Sequence, residues 1–149
     1  MASVSKLIQL QFTPNQATHL GNDSEYFIER TSWTPTWGTD SGWTTGSVTA
    51  TCKYWREGKL YIALIDVTLT LTSDGGAAPT NITFTLPAGI TPQSVNHFTQ
   101  ATLRWGGANQ PGHIAINNGG GSIARTDGTA WGAGANNGVQ RTLAWWEVA

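Results

Sequence analysis

Charge is what this chain has least of: Asp, Glu, Lys and Arg make up 11% of its 149 residues, against roughly 25% in an average soluble protein. Gly, Thr, Asn and Ser fill the gap, a balance suited to short strands joined by polar turns. The formal charge is −1 and the basic residues are scattered singly, so the clustered Lys and Arg that phosphate contacts require are missing. The one local group, Lys53, Arg56 and Lys59, has Glu57 inside it and reads as a solvated hairpin tip. Nucleic acid is therefore not an expected partner.

Cysteine is nearly absent. Cys52 stands alone, which excludes an intrachain disulfide and leaves packing or oligomerisation to stabilise the fold. Long apolar runs are absent as well: the stretch from Met1 to Phe12 is too short and too polar for a signal-peptide core or a membrane span. No membrane insertion is expected, and without a secretory signal the triplets Asn22-Asp23-Ser24 and Asn81-Ile82-Thr83 carry no weight as glycosylation sites.

What is present is aromatic and strand-like. Eight Trp, three Tyr and four Phe give a chain of this length enough apolar surface for one core, so a single domain is expected. Val48, Ala50, Cys52 and Tyr54 alternate with Ser47, Thr49, Thr51 and Lys53, the period of a half-buried strand. Arg56-Glu57-Gly58-Lys59 turns that strand into a hairpin, with Gly58 where a positive φ is needed. The return strand places Tyr61, Ala63, Ile65, Val67, Leu69 and Leu71 on one face and Leu60, Ile62, Leu64, Asp66, Thr68 and Thr70 on the other. Its first half is apolar on both faces, which calls for a cover on the outer side: a second sheet, an arm or another subunit.

Further strands are expected at Ile82–Leu86, Phe98–Trp105, His113–Asn117, Ser122–Thr126 and Val139–Val148, separated by loops rich in Gly and Asn. The segment Thr34–Gly38 reads as irregular extended chain, because Pro35 has no donor for a ladder. No stretch has helical periodicity. The expected architecture is all-β, an antiparallel, jelly-roll-like β-sandwich over residues 32–149. Residues 1–31 form an N-terminal extended arm in this reading, with a short apolar run of Leu7, Ile8, Leu10 and Phe12 broken by Thr13-Pro14-Asn15. Such a run can pair with a neighbouring subunit or equally serve as an edge strand of the same domain.

Catalytic chemistry finds little support. Nucleophilic catalysis needs a nucleophile, a base and an orienting group, but His19, His97 and His113 sit in dissimilar contexts with no Gly-x-Ser-x-Gly elbow. They also lack a ligand partner at short spacing, so no metal is expected. Asn117–Ser122 has the glycines of a phosphate loop without the Lys-Ser/Thr that would follow. A carboxylate pair for glycoside hydrolysis would have to come from acids that mostly occupy turns, such as Glu57, Asp74 and Asp127. No cofactor is expected.

The tryptophans are the most informative residues. Eight indole N–H groups are many for one small core, so some belong at interfaces. Trp145 and Trp146 must point to opposite faces of a strand. Candidate assembly residues are therefore Leu7, Ile8, Leu10 and Phe12 of the arm, with Leu60, Ile62, Leu64, Trp145 and Trp146 of the domain. The rival class is a carbohydrate-binding module, in which Trp105 and Trp131 stack on a sugar while Asn109, Gln110, Asn136 and Asn137 read its hydroxyls.

Thr34-Pro35-Thr36-Trp37, the Tyr54–Lys59 hairpin, Phe84-Thr85-Leu86-Pro87 and the terminal Trp-Glu-Val occur here in an order that resembles the small β domains of tailed-bacteriophage virion proteins. There, Thr-Pro-x-Trp, Tyr-x-x-x-Gly-Lys and a Leu-Pro strand end recur in tail-fibre tips and related surface proteins. The resemblance spans about residues 32 to 149. It implies a non-enzymatic virion component, commonly a homotrimer, made in the host cytoplasm and displayed on the virion surface, with capsid or tail proteins as partners and a host surface glycan as a further one. Fibre tips usually follow a long shaft, whereas about thirty residues precede this domain, so a capsid decoration protein or small appendage subunit fits as well as a host-recognition tip.

Overall fold

The structure is a computed structural model that describes residues 30–93 and 96–148. Among the described residues there is no helix, and nine strands form one antiparallel sheet. The longest pair follows directly from the sequence pattern. β3 (Thr44–Glu57) and β4 (Leu60–Thr72) pair along their lengths down to Glu57 opposite Leu60, and Gly58 closes the turn at φ 62°. In β4, Ala63, Ile65, Val67, Leu69 and Leu71 are at most 1% exposed. Each such side chain contributes roughly 1.5–3 kcal/mol by leaving water, so this one face supplies a large share of the core.

The remaining elements are β1 (Thr31–Ser32), β2 (Trp37–Thr39), β5 (Asn81–Phe84), β6 (His97–Trp105), β7 (Ala108–Asn117), β8 (Gly120–Arg125) and β9 (Gly134–Glu147). Across the sheet the order is β1-β3-β4-β9-β6-β7-β8-β5-β2. The last strand in the chain thus lies near the middle, between β4 and β6. β1 and β2 are consecutive in sequence yet occupy opposite edges, joined only by Trp33–Thr36. Four residues span at most about 14 Å, so the sheet must curl until its edges nearly meet. Two halves of one curled sheet then face each other across the core in a sandwich-like arrangement.

The link between the edges is bonded on both sides. The backbone N–H of Trp33 donates to the carbonyl of Cys52 in β3, and its indole Nε1 donates to the carbonyl of Thr85, just past β5. Thr36 and Thr85 exchange further hydrogen bonds, and Thr45 Oγ1 donates to the carbonyl of Trp37. Asp40 then accepts four hydrogen bonds, from the backbone and side chains of Thr80 and Asn81. Burial opposes the ionised carboxylate, but these donors outweigh it together and hold Asp40 below its ordinary value.

The core gathers Trp43, Trp131 and Trp146 with the inner faces of β4, β7, β8 and β9. Trp33, Tyr54, Tyr61 and Trp146 follow one another as an aromatic row, with Tyr61 stacked on Trp146 at 5.6 Å between centroids. β4 and β9 lose register between Ile65 and Val67, a bulge that leaves ladder groups unpaired. Arg104, from β6, reaches that point: its Nη1 donates to Asp66 Oδ1 at 2.9 Å and to the carbonyls of Val67 and Val139.

β7 begins earlier than the pattern His113–Asn117 implies and runs through Pro111 and Gly112. The carbonyl of Pro111 accepts from Thr126, so its ring nitrogen faces the side where β8 has already ended and costs no ladder bond. A Cβ at Gly112 would stand 2.2 Å from Leu103 Cδ1; only glycine lets β7 pass there.

Candidate assembly surface

The outward face of β3, β4 and β9 carries large apolar side chains in two adjacent rows. Trp55, Ile62 and Trp145 are aligned by register, and Leu64 and Leu143 are aligned beside Lys53 in the next row. Leu143 is 53% exposed and Trp145 44%. Glu57 and Glu147 flank Leu60 at the hairpin end, while Lys53 lies at the other. Arg30 holds its guanidinium 4.8 Å from the centroid of the Trp55 ring, so the described chain begins on the margin of this surface. At the opposite margin His97 meets the edge of Trp145 at 5.2 Å, and Phe98, 59% exposed, packs on His113.

Of the domain residues singled out from sequence, Leu60, Ile62, Leu64 and Trp145 come together here. Leu64 is 8% exposed, covered by its neighbours in the sheet. Trp146 requires a correction: it is fully buried and belongs to the core, since adjacent residues of a strand point to opposite faces. Leu7, Ile8, Leu10 and Phe12 lie outside the described residues. Sequence reasoning missed Leu143 and Trp55 as members of the surface. The alternation around Leu143 was the available signal, but assigning it a face required the β9 register.

The carbohydrate candidates fare differently. Trp131 is 1% exposed and its ring is a core element, so it cannot stack on a sugar. Asn137 is equally buried, accepting from the N–H of Gly106 and donating to the carbonyls of Gly132 and Gly134. Trp105 is half-buried, with the Arg125 guanidinium 4.0 Å over its ring. Asn109 is bonded to Gln140, Gln110 pairs with Leu103 across the β6–β7 hairpin, and Asn136 adopts φ 62° near the start of β9. These residues do gather at one end of the molecule, where most of them fasten loops to each other.

A groove of 390 Å³ lies elsewhere, where β5 ends and β8 begins. Thr36, Thr83 and Ser122 line it together with Trp37, whose ring is 5.3 Å from Phe84. Gly121 beside it makes room for the buried Phe84 ring, which a Cβ there would meet at 2.0 Å.

Titratable groups are dispersed. Among the described residues no three of His, Cys, Asp and Glu gather as metal ligands. Burial pushes the Cys52 thiol up to about 11, leaving it protonated and unreactive at neutral pH. Asp127 is held below its ordinary value first by the backbone N–H and hydroxyl of Thr129 and then by Arg125. Comparison with family models, with curated proteins and with solved structures finds no match for the chain.

Proposed function

We propose that this chain is a non-enzymatic structural protein of a bacteriophage virion surface, a capsid decoration or small tail or fibre subunit that assembles as a homotrimer. The motif order from Thr34 to the terminal Trp-Glu-Val supports the virion setting. The observation that carries the assembly reading is the apolar surface of β3, β4 and β9, where Leu143 and Trp145 are about half exposed beside Ile62 and Leu64. Contiguous outward apolar side chains with a charged rim mark association surfaces. Light scattering on the purified protein tests the reading. A mass of three 15.9 kDa chains is expected, with Leu143→Glu/Trp145→Glu reduced to a monomer of unchanged circular dichroism. A wild-type monomer at every concentration would refute it.

A second reading, a host-glycan-binding module, is favoured by the hydroxyl-lined groove beside Trp37. Neutral hydroxyls around an aromatic ring suit a polyhydroxylated ligand. Titration of host polysaccharide should then shift tryptophan fluorescence saturably, and Trp37→Ala should abolish the shift. A shift that survives Trp37→Ala would remove this groove as its source.

A further inference from the structure

A homotrimer needs a contact made by two different surfaces, because a head-to-tail interface closes into a ring whereas a self-complementary patch makes a dimer. The β3–β4–β9 face supplies one of the two. Among the other described residues the large exposed apolar side chains are Phe98, at the margin of that face on β6, and Val48 on β3, beside a small groove lined by Trp33, Pro35, Trp37 and Ala50. Neither forms a second exposed apolar row of this kind, which leaves the chain ahead of Arg30 as a source of the matching element. There, Ile8, Leu10 and Phe12 alternate with Gln9 and Gln11, the sequence pattern of a strand with one apolar face.

We infer that the Leu7–Phe12 segment of each subunit docks on the Trp55, Ile62, Leu143 and Trp145 face of the neighbouring copy. This rests on the homotrimer reading and names what covers its surface. Reach is sufficient: residues 13–29 span at most about 60 Å, and a domain of this size is on the order of 35 Å across. The chain also leaves the domain at the right place, since Arg30 lies over Trp55 at the margin of the face.

The test is a disulfide trap in the full-length chain, pairing Leu10→Cys with Leu143→Cys. Leu143 is exposed, and buried Cys52 stays out of the exchange. Oxidation is expected to give a covalent trimer on a non-reducing gel. A bond formed within single chains would overturn the inference by placing the segment on its own domain, and so would the absence of any bond in a particle that light scattering shows to be trimeric. Deleting residues 2–20 provides an independent readout: the mass should fall threefold with circular dichroism unchanged, and a persisting trimer would overturn the inference while sparing the homotrimer reading. A full-length chain that is monomeric throughout would sink both.

Discussion

The two halves of the curled sheet bury similar inner faces and present opposite outer ones. β3, β4 and β9 point Trp55, Ile62, Leu64, Leu143 and Trp145 away from the core. β7, β8 and β5 point Ala115, Ser122, Ala124, Asn81 and Thr83 outward, with Ile114, Ile116, Ile123, Ile82 and Phe84 buried beneath. The second half shows small or polar side chains outward, apart from Phe98 against His113; the first is apolar on both sides of a single layer. A domain that needed only its own core would have no use for the first pattern. On the assembly reading proposed above, this asymmetry separates the face that folds the protein from the face that meets a neighbour.

Substitutions along that divide test it. The largest effect is expected within the apolar half, between neighbours in β9. Trp146→Ala should destabilise the domain by roughly 3–5 kcal/mol in chemical denaturation, whereas Trp145→Ala should cost under about 1 kcal/mol in the monomeric deletion of residues 2–20 and show its effect on assembly. Equal losses would erase the distinction between inner and outer face. Next comes the seam between halves. Arg104→Met would leave Asp66 and the carbonyls of Val67 and Val139 without their shared donor, a loss on the order of 2 kcal/mol measurable as a lower denaturation midpoint.

A smaller effect is expected where the polar half is tied to the link between edges. Asp40 is stabilised in its ionised form, so its contribution is complete above its ordinary value of 3.8 and disappears as pH falls through its lower folded value. Asp40→Asn should therefore weaken the protein at pH 7, while the wild type and variant converge in stability in acid. A constant difference across that range would assign the loss to packing instead. Smallest of all, Ser122→Ala on the polar outer face should change stability by no more than about 0.5 kcal/mol.

Much of this was legible in residue order. The alternation through Cys52 and Tyr54, the Gly58 turn and the two-faced β4 strand all appear where local pattern places them, because strand period and turn stereochemistry are local properties. β7 was cut short in that reading, since the tolerance of Pro111 depends on β8 stopping where it does. Trp131 and Asn137 looked like exposed sugar contacts and are instead enclosed: Trp131 is a loop residue with no periodicity from which burial can be read, and the burial of Asn137 follows from the pairing of β9 with β4.

The sequence by itself determined that the chain is all-β, where its main hairpin turns and which face of β4 enters the core, since each of these follows from neighbours a few residues apart. Only the tertiary structure decided that β9 inserts between β4 and β6, that Trp33–Thr36 draws the two edges together, and that Trp55, Ile62 and Trp145 align into one surface. Those outcomes are pairings between residues far apart in the chain, and they are set by which assembly of strands buries the most apolar area while satisfying the backbone.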